Sequence, residues 1–265
     1  MSWFSTVVGG AFGFFLGGPL GAVLGASFGH QIGKNLDGMD SDEPLNLGDQ
    51  QRVQMAFFTV TFSVMGHIAK ADGRVSPEEI SQATRVMNEM VLTAEMRTTA
   101  INLFQRGKQA DFKLDEALAQ FYQICHKRVD LIRMFLAIQL QVAYADGVLS
   151  SGEEKLLLHI CSQLKISRFD YERLKIQLQA QQRFQDYSTY TRHTPRRNEL
   201  HDAYGVLGLP PSATKAEVKK AYRRLMNQNH PDKLVAKGLP EEMMQLAKEK
   251  TQKISKAYET IQKVN

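Results

Sequence analysis

The chain has 265 residues, 43% of them hydrophobic and 23% charged, with a formal net charge of +5, which leaves room for one or two soluble domains beside any membrane segment. Its two cysteines, Cys125 and Cys161, lack CxxC spacing, so neither a disulfide framework nor a zinc site is indicated and reduced thiols in a cytosolic setting are expected. From His201 to Asn265 twelve Lys and Arg face seven Asp and Glu, and the rest of the chain is balanced, so the whole positive excess is C-terminal.

Residues 1–33 read as a transmembrane segment. No Asp, Glu, Lys or Arg occurs from Trp3 to Gly33, and glycine recurs at every fourth position, Gly9, Gly13, Gly17, Gly21, Gly25, Gly29 and Gly33. Each glycine costs a water-exposed helix about 1 kcal/mol relative to alanine, whereas in hydrocarbon the backbone must bond itself and helix persists. Spacing by four gathers the glycines near one face, where a second helix approaches closely, so a homodimer through this stripe is expected. A cleaved secretory signal would carry a positive start, and Met1 to Thr6 has only the terminal amine. A hairpin turning at Gly18-Pro19 has arms of about 20 Å, too short for a core of about 30 Å, which leaves a re-entrant or surface-lying hairpin as an alternative. Glycine packing inside a larger soluble core is another. One helix over the whole run, roughly 45 Å long, requires tilt or a kink at Pro19.

Residues 34–48 mix Asp, Gly, Pro and Asn without apolar periodicity and form a linker. Over 49–181 apolar residues recur at helical spacing, as in Val53, Phe57, Val60, Val64 and Ile68 and again in Met134, Ile138 and Val142, which predicts an all-helical domain of about seven helices. An internal repeat lies within it, "HIAKADGRVSPEEI" and "QVAYADGVLSSGEEKL". Asp72-Gly73 and Asp146-Gly147 suit helix stops. Ser76-Pro77-Glu78-Glu79 and Ser151-Gly152-Glu153-Glu154 suit capping boxes, with Pro77 at the first helical position. The second half of each copy is like an EF-hand loop, but Ile68, Lys70, Val142 and Tyr144 stand where oxygen ligands belong, and no metal site is assigned. Solvated caps explain the acidic groups; a cation held between the two copies is the alternative. This doubled pattern resembles the TerB-like, or tellurite-resistance, family, which implies a helical interaction or scaffold domain and no catalysis.

A second linker is expected over 182–198, where Arg192, Arg196 and Arg197 add only a small electrostatic attraction to acidic lipid or nucleic acid. Residues 199–265 then give a short helix from Asp202 with Tyr204, Leu207 and Leu209 as anchors. A second helix is capped by Ser212 or Thr214, with Glu217 three residues past Thr214. Its apolar face is Val218, Ala221, Tyr222, Leu225 and Met226, and Lys219, Lys220, Arg223 and Arg224 lie opposite. His230-Pro231-Asp232 falls in the following loop, since proline pushes His230 out of helical geometry. A last helix, Glu241 to about Gln262, carries Leu246, Ile254, Ala257, Tyr258 and Ile261 on one stripe, with the stem of Lys250 along it. The two long helices should pack antiparallel with the tripeptide at their joining loop.

Tyr-x-x-Leu-Gly, Lys-x-x-Tyr-Arg-x-Leu, His-Pro-Asp and Lys-x-x-x-Ala-Tyr occur in that order, and the segment is similar to the J-domain of DnaJ-type cochaperones. The resemblance implies that His230, Pro231 and Asp232 trigger ATP hydrolysis in a DnaK-type partner and that Lys219, Lys220, Arg223 and Arg224 dock on an acidic patch of it. The fourth short helix, the Gly/Phe-rich region and the zinc-binding region usual in such proteins are missing. The tripeptide has no neighbouring nucleophile or second carboxylate and is no hydrolytic centre itself, so the chain is not expected to be an enzyme, and no cofactor is implied. A nucleic-acid-binding reading of the basic helix is disfavoured, because no aromatic interleaves the basic face and the excess charge is small.

Taken together, the fold class is all-α: an N-terminal transmembrane helix, a TerB-like bundle and a C-terminal J-domain with an antiparallel helix pair. That order resembles the DjlA family of membrane-anchored bacterial DnaJ-like cochaperones. The family implies a single-pass protein of the bacterial inner membrane, with its C-terminal domains in the cytoplasm, that recruits a DnaK-type chaperone on behalf of an unknown client. Lys34 and Arg52 on the inner flank agree with this orientation only amid Asp37, Asp40, Asp42 and Glu43. The competing function is a stress-related membrane scaffold or cation-sensing protein centred on the TerB-like domain.

Overall fold

A computed structural model describes residues 18–23, 49–71, 77–144, 147–188 and 197–264. Every regular element among them is helical. The chain divides into two compact units, one taking in Met1–Lys165 with Lys237–Met243 and the other Ile166–Ala236 with Met244–Asn265.

The first unit is built around α1 (Asp49–Ile68), with α2 (Pro77–Glu89), α3 (Ala94–Gly107), α4 (Leu114–Cys125), α5 (Val129–Ala143) and α6 (Ser151–Gln163). Nearly every residue of α1 from Val53 onward is buried, as a helix without a polar face must be. Phe57 of α1, Phe121 of α4 and Phe135 of α5 form a chain of tilted rings with centroids 6.2 and 5.2 Å apart. Polar atoms inside the bundle turn to the backbone: Ser63 Oγ donates to Thr59 O (2.7 Å) and Gln139 Nε2 to Thr61 O (3.0 Å). Cys125 and Cys161 are free and buried, and burial pushes both thiols up to about 12, which keeps them protonated and inert.

Pro77 opens α2 as expected, but the capping box of α6 is Ser150 with Glu153, one residue earlier than the Ser151 and Glu154 expected. Ser-Ser-Gly-Glu-Glu offers two registers, and the extended backbone of Ser150 (φ −66°, ψ 157°) selects the first. Gly147 takes the left-handed conformation (φ +85°), the helix-stop geometry foreseen for it. Asp72, Gly73 and Asp146 lie outside the described residues. No group of three or more His, Cys, Asp or Glu able to hold a metal occurs among the described residues.

Of the glycine stripe, only Gly21 falls within the described residues; Gly9, Gly13, Gly17, Gly25, Gly29 and Gly33 lie outside them. No helix among the described residues is long and apolar enough to cross a membrane. Residues 18–23 form a short helical turn that starts at Gly18, whose backbone is left-handed (φ +57°). Leu20 is buried, and its N–H donates to Gln120 Oε1 of α4 (2.7 Å).

The second unit contains α7 (Arg168–Ser188), α8 (Arg197–Val206), α9 (Lys215–Asn229), α10 (Pro231–Ala236) and α11 (Met244–Val264), the last preceded by a 3-10 turn at Glu241–Met243 that belongs to the first unit. Its core joins Val218, Ala221 and Leu225 of α9 to Ile254, Ala257 and Ile261 of α11. Tyr222 stacks on Tyr258 (4.2 Å, 16°), and Ser255 Oγ reaches Met226 Sδ (3.8 Å). The partner number falls as the α9 number rises, so the two helices run antiparallel.

Helix α7 continues past Gln181 to Ser188, into the stretch read as linker, and α8 starts at Arg197 rather than Asp202. The reason is packing: Ala180 and Phe184 enter the core of this unit. Arg183 Nε donates to the buried carboxylate of Asp202 (2.8 Å). Gly205 lets α8 come so near Ala180 that a Cβ there would lie 2.7 Å from the Ala180 Cβ.

Lys250 of α11 is half-buried, and burial, with the charge of Lys253 second, lowers its pKa to about 8. An unfolded lysine titrates near 10.4. Below about 8 the ammonium is charged in both states and its burial penalty is fully present; between about 8 and 10 only the unfolded chain keeps the proton, so stability rises with pH. Unfolding of α11 followed by amide exchange from pH 7 to 10 should show this rise, and Lys250→Met should flatten it; an unchanged slope in the variant would contradict the assignment.

Candidate docking face and tripeptide

Helix α9 begins at a capping box. Thr214 Oγ1 accepts the Glu217 N–H (3.3 Å), and Glu217 Oε2 accepts the Thr214 N–H (2.7 Å) and hydroxyl (2.8 Å). The Thr214 backbone N–H, then its hydroxyl, hold the Glu217 carboxyl below its ordinary pKa. The one acid in α9 is thereby committed to the helix start. With Val218, Ala221 and Leu225 turned inward, Lys219, Lys220, Arg223 and Arg224 are all exposed and leave one helix face cationic.

The tripeptide turns the corner from α9 to α10. Asn229 is buried, and its Nδ2 donates back to Leu225 O (2.8 Å), closing the last turn of α9. His230 is extended (φ −61°, ψ 125°), as expected before proline. The tripeptide was expected to lie wholly in a loop, but only His230 is non-helical: Pro231 starts α10, where a missing N–H costs nothing. Pro231 is buried and its ring anchors the corner, whereas His230 and Asp232 are exposed. The Leu234 N–H donates to His230 O (3.0 Å), and Lys233 Nζ pairs with Asn227 Oδ1 of α9. Among the described residues neither the His230 nor the Asp232 side chain has a hydrogen-bond or ion-pair partner. Two polar groups are thus presented to solvent at the corner that ends the cationic helix.

Sequence reasoning did not anticipate α10 itself or the contribution of α7. A signal for α10 was present, since proline followed by an acidic residue is a helix-start pattern.

Residues 1–42 match the family model for the co-chaperone DjlA transmembrane domain, residues 59–176 that for tellurite resistance protein TerB, and residues 202–265 that for the DnaJ domain. A co-chaperone protein DjlA of Coxiella burnetii is 46% identical over 268 residues, covering 100% of this chain and 98% of that protein. Proteins of the same name from Legionella pneumophila (41%, 98% and 95%) and Escherichia coli K12 (40%, 98% and 97%) are similar along almost their whole length. No solved structure matches. Residues 177–188, which lie beyond the TerB match and before the DnaJ match, contribute Ala180 and Phe184 to the core of the second unit. With all three family segments in order and relatives matched end to end, the chain belongs to the DjlA family of co-chaperones.

Proposed function

We propose that this chain is a membrane-anchored cochaperone that recruits a DnaK-type ATPase through α9 and triggers its ATP hydrolysis through His230, Pro231 and Asp232. The observation that carries the reading is the α9–α10 corner, where a buried proline and two exposed, uncommitted polar side chains follow the helix that exposes Lys219, Lys220, Arg223 and Arg224. Four like charges on one face steer an acidic partner and raise its association rate more than its final affinity. The tripeptide performs no hydrolysis. It accelerates the partner by binding that protein's hydrolysis-competent conformation more tightly than its resting one.

An ATPase of this type and its ATP are cytosolic, so a single membrane pass places the C-terminal domains in the cytoplasm. The glycine stripe pairs two protomers in the bilayer; Gly17, Gly21 and Gly25 changed together to leucine should abolish in-membrane crosslinking, and unchanged crosslinking would remove the stripe from the account. The bundle holds a client or regulator of the recruited ATPase.

Recruitment is tested by the association rate of the ATP-loaded partner with the full chain in nanodiscs. Lys219, Lys220, Arg223 and Arg224 together changed to glutamate should abolish association. In wild type the rate should fall steeply with salt, because exposed charges are screened beyond about 10 Å at 0.1 M. Salt-independent association, undiminished in the variant, would put the docking surface elsewhere.

A further inference from the structure

The turn at residues 18–23 belongs to the first unit and is tied there to α4. It has one inner and one outer side: Leu20, Gly21 and Val23 are buried, whereas Gly18 and Ala22 are exposed. A helix start leaves its first N–H groups without an intrahelical acceptor, and Gln120 Oε1 takes the one of Leu20 at 2.7 Å. The left-handed Gly18 brings the chain so near the same amide that a Cβ on it would lie 3.2 Å from Oε1. Leu20 keeps no exposed surface. Apolar burial, a bonded helix start and a close glycine approach thus meet at one glutamine of α4.

The same residues stand at the middle of the uncharged run 3–33, whose central residue is Gly18. In a helix that crosses a hydrocarbon core of about 30 Å, Leu20 lies near mid-depth, about 15 Å from either surface. Helix α4 cannot follow it to that depth, because Asp115 and Glu116 are exposed at its start and charged side chains are strongly disfavoured in hydrocarbon. Docking on Gln120 and insertion in the bilayer therefore exclude one another. Docking also buries Gly21, a member of the glycine stripe.

We propose that the Gln120 site of α4 is a docking site for residues 18–23 of its own chain, filled while the membrane segment is in water and emptied when the segment enters the bilayer. The release half of this inference rests on the membrane-anchored reading above. The occupant suits the site by chemistry: it carries no charge, and it supplies one N–H to one acceptor together with apolar side chains to bury. A bilayer buries the whole run rather than one turn of it. Docked and inserted chains are thus two states of one equilibrium, which lipid shifts because it binds only the second.

The test uses the full chain made by cell-free synthesis, with or without nanodiscs, carrying photo-leucine in place of Leu20 so that the apolar side chain and the backbone N–H are kept. Illumination links position 20 to whatever surrounds it, and mixing isotopically heavy and light chains separates links within one chain from links between two. Without lipid, position 20 should link to the helices of its own first unit, and Gln120→Ala should lower that yield about fivefold, the weight of one hydrogen bond. With nanodiscs the intrachain yield should fall at least tenfold while adducts to lipid appear. Lipid adducts with no intrachain link in the lipid-free chain, α1 and α3 still protected from amide exchange, overturn the docking site and leave the membrane anchor standing. Links joining heavy to light chains overturn the intramolecular site. Undiminished intrachain links in nanodiscs, without lipid adducts, overturn the release and the membrane-spanning reading on which it rests.

Discussion

Replacing His230 by glutamine should return the partner's ATP hydrolysis to its unstimulated rate while association through α9 stays intact. The side chain is exposed and has no partner within the described residues, so its loss removes nothing from the core of the second unit. The Lys219, Lys220, Arg223 and Arg224 face does not depend on it. Asp232→Asn should behave the same way, since Asp232 is equally exposed. Pro231→Ala should act differently: its ring is buried at the first position of α10, and losing it loosens the corner that aims both neighbours. Tenfold in rate corresponds to about 1.4 kcal/mol of transition-state stabilisation, within reach of one charge-assisted hydrogen bond made only in the competent state. Single-turnover hydrolysis and partner binding, measured on the same His230→Gln preparation, separate the two effects. A variant that binds and stimulates like wild type would remove the tripeptide from the mechanism.

Gly66→Ala and Gly107→Ala should each destabilise the first unit by about 3 kcal/mol or more. The two glycines sit where α1 and α3 cross, and the arrangement is reciprocal. A Cβ on Gly66 would overlap the Phe104 carbonyl, and one on Gly107 would overlap the Ser63 carbonyl. Both obstacles are backbone, so no rotamer change relieves them and the helices must separate. Separation would uncover Met65, Leu103 and Phe104 and break the contact of His67 Nδ1 with Gly107 O (3.1 Å). Gly147→Ala is the control. Its backbone is left-handed, but nothing lies within 4 Å of the new Cβ, so only the conformational cost of about 1–2 kcal/mol applies. Amide exchange of α1 and α3 reports the difference directly; equal effects at Gly66 and Gly147 would show that the helix crossing tolerates a methyl group.

The parts of the fold that local chemistry determines were legible. Thr214 and Glu217 announce the start of α9, and its alternation of Val218, Ala221 and Leu225 with four cations sets the buried and exposed faces without tertiary information. Val53, Phe57, Val60, Val64 and Ile68 mark α1 as a core helix, and all are buried. The parts set by long-range packing were not. Residues 182–188 are polar enough to read as linker, and they are helical because Ala180 and Phe184 find a core on α8 and α11. Lys237 to Pro240 reads as an ordinary connection; only the location of Asp130, which pairs with Lys237, and of Val53, which leaves no room for a Cβ on Gly238, shows why Gly238 is there. Gly66 is a middle case. A glycine inside a helix signals a reason, but which helix crosses there is a matter of three dimensions.

The most direct measurement is the single-turnover ATPase rate of the host's DnaK-type chaperone, with and without the full chain reconstituted in nanodiscs. The account predicts acceleration that saturates with chain concentration and weakens as salt screens the α9 face. A well-folded protein that leaves the rate unchanged would contradict it.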